Sequence, residues 1–135
     1  MPPTTQTLEL LQAALAMREH AYVRYSGFRV GAAVLTASGD IFGGCNIENA
    51  TFAATICAER VAVYAAMAAG HRSFTHLALV ADQPKPLSPC GICRQVLAEL
   101  APGITVIMGN AAGEVRMQQI EELLPIPFQF PERHP

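Results

Sequence analysis

The sequence predicts an α/β fold, one mixed sheet of five strands with helices packed on its faces, and three observations carry that reading. Segments with helical apolar spacing alternate with short strand-forming runs, in the order helix, strand, strand, helix, strand, helix, strand, strand, helix. Of the 135 residues, 51% are hydrophobic, enough to bury a core without disulfide staples. No internal repeat and no second unit is visible, so residues 1–135 read as one domain.

Leu8, Leu11 and Leu15 lie at helical spacing after Thr7, a residue suited to an N-cap, and predict an amphipathic helix over residues 8–20. Two strand-like runs, 28–35 and 41–45, flank the turn signal Ala37-Ser38-Gly39-Asp40 and predict a hairpin. Residues 56–69 are rich in Ala, Val and Met and end at Gly70, as a mostly buried helix with a glycine stop would. The apolar run 74–81 fits a strand covered on both faces. Pro84, Pro86 and Pro89 then forbid regular structure until Cys90. Residues 92–100 read as a helix, 104–108 and 115–117 as strands, and 119–124 as a last short helix before a proline-rich tail.

The formal net charge is −2, with nine Lys and Arg spread thinly rather than in a stripe, which is the wrong electrostatics for gripping a phosphate backbone. A nucleic-acid partner is therefore not expected. No apolar run reaches the roughly 20 residues of a membrane span, and Met1-Pro2-Pro3-Thr4-Thr5 carries neither a basic flank nor an apolar signal segment. A soluble, cytoplasmic protein without a membrane partner is the expectation, and its four cysteines are then ligands or core residues rather than disulfides.

Cys90 and Cys93 stand at i and i+3 in Pro89-Cys90-Gly91-Ile92-Cys93, on one face of a helix's first turn and close enough to share a metal. A redox pair would have the same spacing. Cys57, at the start of another helix, offers a third thiol and favours zinc. Helix N-termini carry partial positive charge, which lowers thiol pKa values toward the deprotonated form that ligation needs. Structural zinc sites close with four protein ligands, whereas catalytic ones keep a position for water. Cys45, at a strand end, is the one candidate for a fourth sulfur and reads as a buried unligated thiol. Glu59, two residues beyond Cys57, can overlook the open position and exchange a proton there; its bland alternative is a carboxylate favoured by the helix dipole. Three thiolates and one Zn2+ leave an excess negative charge, which Arg60 can offset. His20, His71, His76 and His134 show no spacing that recruits them to a metal.

The pairing of Cys57-Ala58-Glu59 with Pro89-Cys90-Gly91-Ile92-Cys93 resembles the signature of zinc nucleoside and nucleobase deaminases. The segments 21–32, Gly44-Cys45-Asn46-Ile47-Glu48-Asn49-Ala50 and Cys90-Gly91-Ile92-Cys93-Arg94-Gln95-Val96 narrow this. They look like the small cytidine deaminases, the homotetrameric all-cysteine branch, with the likeness spanning roughly residues 8–128. The resemblance implies a three-layer αβα sandwich around a five-stranded mixed sheet and one zinc per subunit. It further implies hydrolysis of cytidine and 2'-deoxycytidine to the uridines and ammonia, for pyrimidine salvage. By the same resemblance Asn46 and Glu48 hold the ribose hydroxyls, Phe28 packs on the pyrimidine, and backbone near Ala58 and Ser88–Pro89 contacts the base. Ala50, Phe52 and Phe128 match positions through which neighbouring subunits of a homotetramer complete one another's sites. Three departures bear on subunit contacts and substrate preference: Arg24 stands where the family usually has Pro, Phe52 where it often has Tyr, and Ile126-Pro127 replace a common Gly-Ala. Rival readings are a deaminase of another aminopyrimidine, a polynucleotide deaminase, and a non-catalytic zinc module.

Overall fold

The computed structural model describes residues 4–132; Met1–Pro3 and His134 lie outside the described residues. Helix α1 (Thr5–Met17) is capped by Thr4, whose Oγ1 accepts the Thr7 N–H at 3.1 Å, and a 3₁₀ turn, Arg18–His20, continues it. The expected cap at Thr7 is thus corrected by three positions. Thr4 has the extended backbone a cap requires, and its carbonyl already accepts the Leu8 N–H, which leaves Thr7 inside the first turn with its side chain buried. The inward face is corrected in part, since Leu11 packs half-buried against the core as expected. Thr7, Leu10 and Ala14 face the sheet, while Leu8 and Leu15 are exposed.

Strands β1 (Val30–Thr36) and β2 (Ile41–Cys45) form the expected hairpin, turning through Gly39 at φ +94°, a left-handed conformation that glycine adopts without strain. The expected start at residue 28 is corrected to Val30. Asn46 explains the shift: its Oδ1 accepts the Val30 N–H (2.9 Å) and its Nδ2 donates to the Phe28 carbonyl (2.7 Å), so a side chain occupies the backbone groups that would have extended the ladder.

Helix α2 (Ala58–Ala68) ends before Gly70 at φ +100°, and β3 (Phe74–Ala81) follows. Helix α3 (Gly91–Leu100), β4 (Thr105–Asn110), β5 (Val115–Gln119) and the short α4 (Ile120–Leu123) complete the chain. The sheet runs β2-β1-β3-β4-β5, with β3 and β4 parallel and every other pair antiparallel.

Side-chain alternation along the strands assigns the layers. Ala32 and Val34 of β1, Leu77 and Leu79 of β3, and Val106 and Met108 of β4 pack with Ala58, Ala62 and Val63 of α2 and Leu97 of α3. The intervening residues Ala33, Leu35, Ala78, Val80 and Ile107 face the other way, onto Leu10 and Ala14 of α1. The result is the three-layer αβα sandwich with a five-stranded mixed sheet. Helices α2 and α3 share one face, with the N-terminus of each preceded by a cysteine. No helix among the described residues is long and apolar enough to cross a membrane.

Replacing the true cap should be measurable: Thr4→Ala is expected to cost about 1 kcal/mol of unfolding free energy in urea titration. An unchanged midpoint would place the cap elsewhere.

Candidate metal centre

Two helix N-termini build the site. Cys57 is the N-cap of α2 and Cys90 the N-cap of α3, both with extended backbone, and Cys93 lies in the first turn of α3. The Cys90 sulfur accepts the Cys93 N–H at 3.5 Å, so it satisfies one of the donors that a helix start leaves free. Among the described residues, Cys57, Cys90 and Cys93 are the one group of three potential ligands whose donor atoms lie within 4.8 Å of one another. Cys57 Sγ and Cys90 Sγ are 3.7 Å apart. A tetrahedral zinc with Zn–S bonds near 2.3 Å separates its sulfurs by about 3.8 Å, so the donor set fits the ion in type and spacing. Cys45 is buried in β2 outside the cluster, which leaves three sulfurs rather than four.

The thiols are electrostatically unequal. The Cys57 pKa is pulled down to about 5, first by a hydrogen bond from Cys93 and further by Arg60 and Cys90, against the opposing effect of burial. Arg60 Nη2 donates to Cys57 Sγ at 3.5 Å. Cys93 is shifted the other way, because it donates its proton to Cys57 and is itself buried. Ligation needs all three sulfurs deprotonated, so zinc loading releases whatever protons the thiols still carry.

Glu59, in the first turn of α2, is only 4% exposed. Its pKa rises to about 7, chiefly through burial, with the neighbouring Cys57 charge adding to the rise and a Cys93 hydrogen bond opposing it. A surface carboxylate serving only the helix dipole would show none of this. Glu59 lies against the sulfur cluster, with a proton affinity suited to exchange near neutrality.

The remaining candidate residues fall into separate places. Asn46 spends its amide bracing the start of β1, as described above. Glu48 accepts the Tyr25 and Ser26 N–H groups through Oε1 and the Ser26 hydroxyl through Oε2, and these bonds hold its pKa below the usual carboxylate range. A short antiparallel bridge between Ile47 and Ile56 ties this segment to the residue preceding Cys57. Phe28 is partly exposed and lines a polar cavity with Arg18, Gly27, Arg29 and Asp82. Ala58 is wholly buried in the core, so any contact it offers a ligand comes from its backbone. Phe52 stacks edge-on against Tyr25, with ring centroids 5.9 Å apart, and shares a shallow cavity with Glu48 and Thr55. Ala50 lines the neighbouring cavity with Tyr22, Tyr25 and Ile47. Phe128 lies in the tail, apart from these.

Three residues with no role in the sequence reading join the machinery around the site. Arg94 donates to the Pro89 carbonyl (2.8 Å) and to the Leu123 carbonyl (2.9 Å), locking the turn before Cys90 to α4. Gln95 exchanges two hydrogen bonds with the backbone of Phe128 and pins the tail to α3. Ser26 holds Glu48 and also accepts the Phe28 N–H. The signal for Arg94 and Gln95 was their place directly after Cys93, and for Ser26 its place in the segment 21–32 that carries the resemblance.

The raised pKa of Glu59 has a consequence for stability. The folded, metal-free chain keeps a proton on Glu59 that the unfolded chain, with its ordinary value of 4.5, releases earlier. This contribution to stability is complete below pH 4.5 and is lost as pH rises through about 7. Glu59→Gln cannot ionise. In urea unfolding of the metal-free proteins, the variant should gain on the wild type by roughly 3 kcal/mol between pH 4.5 and 8. Parallel stability curves would contradict the burial of this carboxyl.

Comparison with known proteins agrees with the geometry. Residues 4–109 match the family model described as the cytidine and deoxycytidylate deaminase zinc-binding region. A cytidine deaminase of Halalkalibacterium halodurans is 48% identical over 120 residues, which cover 88% of this chain and 91% of that protein. One from Sporosarcina psychrophila is 47% identical over 121 residues, 89% of each. Among solved structures, the cytidine deaminase of Burkholderia pseudomallei superposes with a TM-score of 0.87 at 45% identity, covering 90% of this chain and 98% of that one. The Mycobacterium tuberculosis enzyme gives 0.79 at 36% identity, covering 91% and 97%. Sequence and fold match along nearly the full length of these relatives, and the chain belongs to the cytidine and deoxycytidylate deaminase family, within its zinc-binding region.

Proposed function

We propose that this chain is a zinc-dependent hydrolase that removes the 4-amino group of cytidine and 2'-deoxycytidine, releasing ammonia and leaving uridine and 2'-deoxyuridine. The observation that carries the reading is a buried carboxylate, Glu59, set against three converging sulfurs with no fourth among them. Relatives 48% and 47% identical over most of the chain bear the name cytidine deaminase.

One zinc, held by Cys57, Cys90 and Cys93, would supply Lewis acidity that brings the pKa of a water toward neutrality. Glu59 takes a proton from the attacking water, whose oxygen bonds to C4 of the cytosine ring, and delivers it to N3. The second proton from that oxygen passes through the same carboxylate to the amine, and the C4–N bond breaks with loss of ammonia. A pKa near 7 suits a group that must both accept and donate within one turnover. Arg60 offsets the excess negative charge of three thiolates and keeps the centre acidic enough for this.

Asn46 and Glu48 are proposed to hold the ribose hydroxyls, Phe28 to pack on the base, and the backbone at Ala58 to contact it. Glu48 is well prepared for the task, since three donors already hold its carboxylate ionised and oriented. A homotetramer sharing its active sites through Ala50, Phe52 and Phe128 is supported by apolar exposure. Phe52, Ile126, Phe128 and Phe130 are 74%, 89%, 69% and 72% exposed, which a partner subunit would relieve. Four unpaired cysteines agree with a reducing, cytoplasmic setting, and the continuous five-stranded sheet with residues 1–135 acting as one domain. A deaminase of a different aminopyrimidine remains the second reading, and a net charge of −2 weighs against a polynucleotide substrate.

Ammonia release should be tested with cytidine, 2'-deoxycytidine, cytosine and a cytosine-containing oligonucleotide, where turnover confined to the two nucleosides is expected. Glu59→Gln should keep its zinc and lose at least about 10³-fold in kcat. Cys57→Ala should lose the metal. Near-normal turnover by Glu59→Gln would remove Glu59 from the mechanism, and preferential turnover of the oligonucleotide would replace the substrate assignment.

A further inference from the structure

Gly44 lies in β2, the edge strand beneath α2, paired across the ladder with Ala32 of β1. A Cβ built on Gly44 would stand 2.5 Å from the Ala58 carbonyl oxygen, 2.5 Å from the Ala62 nitrogen and 3.1 Å from the Ala62 Cα. Oxygen 58 and nitrogen 62 are the acceptor and donor positions of one i to i−4 rung, so the added carbon would press on the backbone of the first helical turn. Backbone in a helix cannot swing aside as a side chain does. Ala32, Ala58, Ala62 and Ala66 of the same core cluster are all small and all fully buried, which lets α2 sit close on the sheet.

That turn carries Cys57 immediately before Ala58 and Glu59 immediately after it, whereas Cys90 and Cys93 belong to α3. Lifting α2 would therefore move one half of the site relative to the other. We propose that Gly44 is a positioning residue for the reaction: its missing side chain sets the height of α2 above β2, and through it the placement of Cys57 and Glu59 against Cys90 and Cys93. The inference rests on the deaminase reading for its kinetic consequence and on the metal site alone for its geometric one. Ordinary carbon contacts would require α2 to rise by about 1 Å, whereas metal–ligand distances tolerate only about 0.2 Å. A misplacement of that size at a reacting centre costs about 10²-fold in rate.

Other residues in the hairpin separate positioning from simple packing. The three atoms nearest a Cβ at Gly43 all belong to the flexible Met17 side chain, at 2.5 Å from Cγ and 2.7 Å from Sδ, rather than to backbone, so Gly43→Ala should be absorbed by side-chain rotation. Ala32→Val adds bulk to the same face from the neighbouring strand, a milder lift that keeps the fold within reach should Gly44→Ala not fold.

The three variants and the wild type should be compared, at a temperature where circular dichroism shows each folded. The readouts are zinc affinity by chelator competition, the visible absorption of the cobalt-substituted proteins, and kcat and KM for cytidine. Expected for Gly44→Ala is a kcat about 10²-fold lower per bound zinc, with weaker zinc binding and a shifted cobalt spectrum. Ala32→Val should show the same changes at roughly one-tenth that size, and Gly43→Ala should stay within about 2-fold of the wild type. A folded Gly44→Ala with wild-type cobalt absorption and kcat overturns the proposal. If that variant does not fold, an unaltered cobalt spectrum and kcat in Ala32→Val overturns it. Failure of the deaminase reading would look different: the wild type would release no ammonia, while zinc affinity and cobalt absorption would still report whether Gly44 places the ligands.

Discussion

The convergence of two helix N-termini on one point is the constraint from which the rest of this structure follows. Three sulfurs can share a zinc ion only if α2 and α3 end their approach with Cys57 and Cys90 about one zinc tetrahedron edge apart, and they stand at 3.7 Å. Everything beneath serves that separation. The sheet offers its Ala32, Leu79 and Val106 face to both helices, glycine in β2 admits α2 closely, and Arg94 locks the turn that delivers Cys90. Helix N-termini are also where thiolates are cheapest to form, so geometry and electrostatics favour the same positions.

The charges around this point balance one another. Cys57 is readily ionised, Cys93 resists ionisation, and Arg60 holds its guanidinium on the Cys57 sulfur. Glu59 is buried beside them, where a carboxylate without a purpose would be a cost. Burial that raises its proton affinity to near 7 makes it able to take and return a proton at physiological pH. The same burial that weakens the metal-free fold at neutral pH is what the chemistry requires.

Much of the fold was legible in the sequence because its signals are local. Apolar strand-forming runs, the Ser38-Gly39 turn, Gly70 and the proline run before Cys90 each mark an element or its end within a few residues. The inward face of α1 was only partly legible: of Leu8, Leu11 and Leu15, which have the spacing of a buried stripe, Leu11 packs half-buried against the core, but the sheet receives Leu10 and Ala14 most deeply and leaves Leu8 and Leu15 exposed, a choice made by packing alone. At the site, the gathering of Cys57, Cys90 and Cys93 could be read from spacing and from two helix starts. The structural duties of Asn46 and Glu48 could not, since they depend on bringing residues 25–30 against 46–48, a long-range contact with no local mark. Gln95 and its grip on Phe128, 33 residues away, were hidden for the same reason.

X-ray absorption at the zinc edge of the loaded protein tests the central claim most directly. Three sulfur scatterers at about 2.3 Å and a single oxygen near 2.0 Å are predicted, with one zinc per chain. A first shell of four sulfurs would mean that Cys45 or a second chain closes the site, and the account of an open, water-accessible centre overlooked by Glu59 would be contradicted.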